Sequence, residues 1–553
     1  MINIKRNIRL LFLMVLALSV LPVLFFSCSK LKLEPVETYP PGPKPLVKFL
    51  DGAPVPAQGV EGSIVTFKVS GLGGKDTSQF KFFINQTLAQ VVEVDSASVK
   101  VKIPANASTG GSSVLINGEV YFGPNFMVKG KISIDPNFNP DVNRTNGTIY
   151  GVFQNSSNNY LIYGSFTNYG NSASVSNTIT GLAELDGNGN YLTNGGNGTI
   201  QLGKQGLNGS VLSVVQLPSS DYIIAGSFSQ YDTIRNVNNI TQIQSSGALE
   251  TMIVDIENPD PINQPDANKD TVPYFNGGVS GGIVKAFYDD SRGSITAVGN
   301  FSNYSSTFYE RSVKGGPFLD FAKMRQLVRM NEDGSLDSTF NYNPATQSGY
   351  DVGNGFIFDA MQLPDGRIIV VGNFTTFDGQ VVNYITRINT ADGSVDPTFN
   401  MGGSGADKSI SHISYNANTG KILLTGNFKN YNGQPANGVV MIDQNGAIDP
   451  SFTFRKVDAG IANFAGQLDN GMIIVSGSFN KYDNIVRPGL LILNPDGSLA
   501  SGYNNTGLFR GAINGFTELT SSTTGEHQVI LVGNFDRFDG IQVGNIVKFT
   551  LGN

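Results

Sequence analysis

Beyond residue 45 the apolar side chains come in short runs bounded by Gly, Asn, Asp and Pro. Within the runs Ile64–Val69, Phe80–Ile84, Val99–Ile103 and Ser113–Ile116, apolar and polar residues alternate with a period of two. That is the pattern of strands buried on one face. Residues 46–130 carry enough such runs for a small β-sandwich.

From residue 131 a longer period takes over. Its clearest copy runs from Met361 to Asn400: Pro364-Asp365-Gly366, the apolar stretch Ile368–Val371, then Gly372-Asn373-Phe374, Ile385–Asn389 and Asp392–Asn400. A Gly followed by Ser or Asn and Phe recurs at Gly164, Gly226, Gly299, Gly372, Gly426, Gly477 and Gly533. Self-similarity at this spacing marks a stacked or radial array of repeats. Each copy reads as four strands. Pro364-Asp365-Gly366 turns between the first and second, and Asp392-Gly393, Asp333-Gly334, Asn445-Gly446 and Asp496-Gly497 turn between the third and fourth. The second strand holds four β-branched residues in succession, so both its faces are expected to be covered by neighbouring sheets. The Phe after each Gly (166, 228, 301, 374, 428, 479, 535) is expected to fill the gap between blades, and the Gly to let neighbouring backbones approach.

The array's ends predict closure. The chain finishes on a third strand, Ile546–Asn553, with no fourth. The missing piece stands at the beginning, where Ile134–Asn139 matches Val395–Asn400. Pairing the two leaves no open sheet edge. The expected fold is therefore all-β: an Ig-like β-sandwich followed by a seven-bladed β-propeller over 131–553, closed by an N-terminal strand.

Two resemblances attach to these residues. Gly71-Leu72, Ile84-Asn85, Ile103-Pro104, Thr109-Gly110 and Gly123-Pro124 make residues 46–130 resemble the TIG family of immunoglobulin-like domains, which implies a spacer without chemistry. Residues 131–553 resemble the delta-60 repeat family of β-propellers, most closely in the fourth and fifth copies. That resemblance brings no catalytic residues with it.

The amino terminus reads as a targeting segment. Lys5, Arg6 and Arg9 precede the apolar stretch Leu10–Phe26, and Ser27-Cys28 follows. Residues 1–28 resemble a bacterial lipoprotein signal peptide whose Cys28 carries the lipid, although Phe25 and Phe26 depart from the usual Leu and small residue. Cys28 is the single cysteine, so no disulfide or cysteine-ligated metal is available. The Pro-rich residues 29–45 read as a tether. The expectation is a cell-envelope, outer-membrane lipoprotein, held to lipid through Cys28.

Composition narrows the chemistry. Charged residues make up 15% and the net charge is −7, which argues against nucleic acid as a partner. The two histidines, His412 and His527, stand on different repeats and are expected at the surface or in loops. No cofactor is implied. Asp266, Asn268 and Asp270 have the spacing of a calcium loop, yet the Gly and the terminal Glu are missing, so a turn-rich loop is the better reading. Paired carboxylates at the channel mouth would make a glycan lyase or hydrolase, but most Asp residues here sit at repeated turn positions.

The insertions carry more. Residues at about 251–282 join the second and third copies, and those at about 302–326 lie in the 2–3 loop of the third. Strand topology puts both on one face, side by side. They bring Tyr274, Phe275, Tyr304, Phe308, Tyr309, Arg311, Phe318, Phe321 and Arg325. This set suits either a patch for a protein or glycan ligand or a private mini-core. A non-catalytic binding protein is the expected function; a purely architectural envelope protein is the other non-enzymatic reading.

Overall fold

One repeat shows why the chain forms the sheets it does. In blade four, Ile357–Gln362, Ile368–Gly372 and Ile385–Ile388 pair antiparallel in that order. Gly366 takes φ +86° at the first turn, and the Asp365 carboxylate accepts the Arg367 N–H at 3.0 Å. The middle strand is buried along its whole length. The structure, a computed structural model, describes residues 46–138, 144–170, 179–192, 206–232, 234–458, 460–521 and 525–552. The targeting segment with Cys28, the tether and Asn139 lie outside the described residues. Phe49–Asn553 form one compact unit; of the other, Met1–Lys48, only 46–48 are described.

Among the described residues seven sheets of this kind follow one another. Their inner strands are Ile149–Gln154, Ser210–Gln216, Gly278–Asp289, Ile357–Gln362, Ile410–Asn416, Ala462–Gln467 and Arg510–Thr520. Each is an edge strand of its sheet and lies against the inner strands of the blades before and after. Successive blades share apolar clusters built from the repeated aromatics. Leu161 and Leu182 of blade one pack with Phe228 and Tyr231 of blade two, and Leu423 of blade five packs with Phe479 and Tyr482 of blade six. Ile530 and Val532 of blade seven pack with Phe166 and Tyr169 of blade one, so the ring is closed. The series of Phe residues is core, as expected.

Closure takes the form read from the sequence. Ile132–Ile134 pairs antiparallel with Ile546–Leu551, Ile134 facing Phe549 and Ile132 facing Leu551. Elsewhere the expected fourth strand shrinks to a single bridge, such as Ile388 opposite Val395 and Met330 opposite Leu336. The reason lies in the segment itself. Asp396 accepts the Thr398 N–H at 2.9 Å and Pro397 offers no N–H, so the chain turns inward after one pair and buries Phe399. The repeated Gly also acts differently from expectation. A Cβ on Gly372 or Gly533 would strike the carbonyl oxygen of Phe356 or Ala512. Ala512 lies in the inner strand of the same blade and Phe356 immediately before it, beside the bulge, and neither belongs to a neighbouring blade.

The Ig-like domain forms one curled sheet. Ile64–Ser70, Ser98–Lys102, Thr87–Val94, Phe80–Ile84, Gly110–Ile116 and Glu119–Val128 are neighbours in that order. Thr87–Val94 pairs with Phe80–Ile84 at its start and Ser98–Lys102 at its end, which folds the sheet over Phe67, Phe82 and Phe126. The domain is docked on the propeller: the Thr109 N–H donates to the Asn505 carbonyl at 2.9 Å, and the buried Asn505 amide donates to the Val128 and Ile132 carbonyls at 3.3 Å each.

Candidate functional site

The two insertions meet. Thr251–Asp255 and Lys269–Pro273 form a hairpin between blades two and three. In blade three the middle strand runs on to Thr307, and its extension pairs with Leu319–Ala322. Asn276 clamps the two together: its amide donates to the Thr307 carbonyl at 2.9 Å and its side-chain oxygen accepts the Thr307 N–H at 2.7 Å. The Glu257 N–H donates to the Ser312 carbonyl at 2.8 Å. Between the insertions and the blade-two loop Ile234–Asn238 lies a cleft of about 480 Å3. Ile256, Phe275 and Leu319 give it apolar walls; Arg235, Asp270 and Lys314 give it charge. Burial pushes the Tyr309 phenol at its edge up to about 12, so that hydroxyl stays protonated.

The candidate residues divide. Phe275 and Tyr309 line the cleft. Tyr304 is a correction: it is buried in the blade cluster, and its hydroxyl donates to the Gly334 carbonyl at 2.8 Å. Tyr169, Tyr231, Tyr431 and Tyr482 make the same bond to Gly189, Gly247, Gly446 and Gly497. Such a Tyr bolts the 2–3 loop to the 3–4 turn and has no hydroxyl proton left to donate to a ligand. Tyr274 opens on another cavity, with Tyr288 and Glu332. Arg311 lies over Phe308 and Phe318, 5.6 and 5.7 Å from their ring centres, a small cation–π stack whose three members all stay exposed. Phe321 is exposed and Arg325 half-buried, neither lining the cleft. The set thus gives a cleft wall, a tyrosine of the blade core and an exposed stack, and not a private mini-core. Arg235 and the rest of the blade-two loop were missed because that loop is of ordinary length.

Asp266, Asn268 and Asp270 do not form a calcium loop. The Asn268 carbonyl accepts the Ile256 N–H at 2.8 Å, Asp270 pairs with Val254 inside the hairpin, and its carboxylate accepts the Thr271 N–H at 2.9 Å. Among the described residues no three His, Cys, Asp or Glu side chains are placed to share a metal ion.

The sequence misplaced His412. It lies on the inner strand of blade five, not at the surface. The residues just past the bulge stand at one level of the ring of inner strands: Gly151, Ser213, Lys285, Asp359, His412, Phe464 and Gly515. Asp359 accepts from His412 Nδ1 at 2.7 Å, from the Ala360 N–H at 2.9 Å and from the Ile413 N–H at 3.2 Å. Lys285 Nζ stands 3.9 Å from Oδ1, the oxygen that accepts the Ala360 N–H. Burial alone would raise the Asp359 carboxyl, but Lys285, His412 and the Ile413 N–H overcome it and hold it below the usual carboxylate range. Burial would likewise draw the Lys285 ammonium down, and Asp359 outweighs that. The His412 ring stacks on Phe464 at 4.8 Å.

His527 is half-buried and pairs with Glu518 at 2.6 Å. Burial, together with Asp469 beside it, raises the Glu518 carboxyl. That carboxylate accepts the Asp469 backbone N–H at 2.9 Å, a cap on the blade-six turn.

Residues 363–399, 417–452 and 468–500 match the model of a family described as a domain of unknown function (DUF5122) β-propeller, and residues 54–127 match the IPT/TIG domain. The chain thus carries repeats of that propeller and an IPT/TIG domain. No curated protein matches the chain. Solved structures similar to it include the WD40 β-propeller domain of Doa1, with 12% identity over 73% of this chain and 93% of that one and a TM-score of 0.35. An auxiliary nutrient binding protein from Bacteroides thetaiotaomicron is 12% identical over 90% and 98%, with a TM-score of 0.32. Puromycin hydrolase is 12% identical over 75% and 57%, with a TM-score of 0.35. A binding protein and an enzyme stand side by side at these scores, so the likenesses carry no weight on function.

Proposed function

We propose that the chain is an envelope lipoprotein that binds a protein or glycan ligand without transforming it, through the cleft between the two insertions. The observation that carries this reading is the Asn276–Thr307 clamp. It joins two insertions that the repeat itself does not need, and it joins them around an open cleft of mixed polarity. The carboxylates that an enzyme would require are engaged otherwise: Asp359 accepts three hydrogen bonds and pairs with Lys285, and Glu518 caps a turn.

The test screens purified full-length protein on glycan and peptide arrays. The affinity of a hit is then measured for Arg235→Ala/Lys314→Ala and for the distant Lys102→Ala. The double variant is expected to lose about tenfold or more, the control nothing; equal affinities in all three would remove the cleft from the function. The anchor has its own test. Cys28→Ser should abolish fatty-acid incorporation and release the protein from membranes, and continued membrane retention would discard it.

A further inference from the structure

The cleft between the insertions carries a surplus of positive charge on a chain whose net charge is −7. Arg235 lines it from the blade-two loop and Lys314 from the turn Val313–Gly316 of the second insertion. Neither cation has an ion pair or a side-chain hydrogen bond among the described residues. The one carboxylate in the wall, Asp270, accepts the N–H of its own neighbour Thr271 at 2.9 Å. The protonated Tyr309 hydroxyl is a further donor without a partner among the described residues.

The backbone of the first insertion adds acceptors. In its hairpin the Ile256 N–H donates to the Asn268 carbonyl and the Tyr274 N–H to the Glu250 carbonyl, at 2.8 Å each. Met252 stands opposite Val272 and Val254 opposite Asp270. The alternation of an antiparallel ladder therefore turns the Thr271 and Pro273 carbonyls away from Thr251–Asp255. Both residues line the cleft, and no donor among the described residues reaches either carbonyl. Pro273 has no N–H and Asp270 occupies that of Thr271, so this strand edge offers acceptors two residues apart and no donors. The rest of the wall is largely aliphatic, with Ile256, Val272 and Leu319. Aromatic faces for a sugar ring are few: Phe275 is 4% exposed with its ring in the blade-three cluster, and Tyr309 is half-buried.

Taking the cleft as the ligand site, as proposed above, we infer that it receives an extended peptide segment carrying an acidic side chain, Asp or Glu. The segment lies along Lys269–Pro273 and donates two backbone N–H groups to the Thr271 and Pro273 carbonyls, in the manner of an added strand. Its carboxylate sits between Arg235 and Lys314, and its apolar side chains meet Ile256 and Leu319. Charge sets the choice of segment, because a basic one would meet two unpaired cations.

The probes are fluorescein-labelled, amidated hexapeptides of Val, Thr and Ala with one central Glu, Gln or Lys, read by fluorescence polarisation on the full chain. Trigalacturonate, an acidic glycan, is the comparison. The Glu set is expected to bind saturably, and Gln in place of Glu should weaken its best member about tenfold, the worth of one charge-assisted hydrogen bond. Methylating the backbone nitrogens of that peptide one at a time should find two sensitive positions, two residues apart, each costing about fivefold or more. Arg235→Glu/Lys314→Glu should turn the preference from Glu to Lys, and both residues are exposed, so the variant keeps the fold. Four outcomes would overturn the inference: no saturable binding of the Glu set, a preference of the natural protein for Gln or Lys, indifference to backbone methylation, or a Glu preference that survives the charge reversal. If trigalacturonate alone binds, and Arg235→Ala/Lys314→Ala abolishes it, the peptide is overturned and the cleft stands as the ligand site. If a bound probe is indifferent to every cleft variant, the cleft falls with the peptide.

Discussion

Blades four and seven solve one problem with chain from different places. In blade four, Arg387 on the third strand bonds Asp396 just beyond the next turn, at 2.8 Å, and the Asp396 N–H donates to the Arg387 carbonyl at 2.8 Å. In blade seven, Lys548 occupies the arginine's place and bonds Asp135 at 3.2 Å, and the Asp135 N–H donates to the Lys548 carbonyl at 2.9 Å. Each cation also reaches a turn carbonyl of the following blade: Arg387 that of Gln444 at 2.5 Å, Lys548 that of Gly187 at 3.1 Å. The clamp is the same; its covalent context is not. Arg387 and Asp396 are neighbours along the chain, whereas Lys548 and Asp135 come from opposite ends of the repeat region and must close a loop of nearly the whole ring. Blade seven therefore carries the loop-closure entropy of the propeller, and it does so with a lysine, which lacks the planar fork of arginine.

The largest expected effect breaks the closing strand. Ile132→Asp places an unpaired carboxylate in the cluster of Phe549, Leu551 and Ile492 and should cost about 4 kcal/mol or more. The freed edge of Ile546–Leu551 should then pair between molecules, seen as concentration-dependent light scattering. A monomeric variant of unchanged melting temperature would mean that closure is dispensable.

The clamp itself comes next. Asp396→Asn leaves the buried Arg387 unpaired and should cost about 3 kcal/mol in chemical denaturation. Asp135→Asn should cost less, about 2 kcal/mol on the same basis, because Asp396 also bonds Arg367 and its counterpart has one cation. Acid sharpens the contrast. Burial opposes ionisation of Asp396, but Thr398, Arg367 and Arg387 win and lower its pKa to about 2. A depressed carboxylate stabilises the fold above its unfolded value, near 4, and that contribution fades as pH falls toward 2. Melting curves between pH 5 and 2 should therefore fall less steeply for Asp396→Asn than for the natural protein. Parallel curves would show that Asp396 does not set the acid limit.

The smallest effect concerns the tyrosine bolts. Tyr431→Phe loses one hydroxyl bond, 3.1 Å to the Gly446 carbonyl, worth about 1 kcal/mol. Blade four already carries Phe377, buried, at the matching place. A loss of several kcal/mol would mean that the bolt organises more than its own loop.

Much of this was legible beforehand. The blade number, the turns and the closing segment follow from spacing and from the likeness of Ile134–Asn139 to Val395–Asn400. The small hairpins in the 2–3 loops were overlooked, although Asp378-Gly379, Asn432-Gly433 and Asp539-Gly540 carry their turn signal, each pair with positive φ. Tyr304 looked like an insertion aromatic because it stands beside Phe308 and Tyr309 in the chain. Its partner, Gly334, is reached only when the blade folds.

What the sequence settled alone was architecture. Repetition is written along the chain as a recurring motif, and a strand's alternation declares its buried face without reference to any distant residue. What the tertiary structure decided was assignment: which aromatics bolt loops and which line a cleft, and that Lys285, Asp359 and His412 meet at one level of the inner strands. Those three stand in three different repeats, each unremarkable in its own strand. Only the stacking of successive blades brings them within reach of one another.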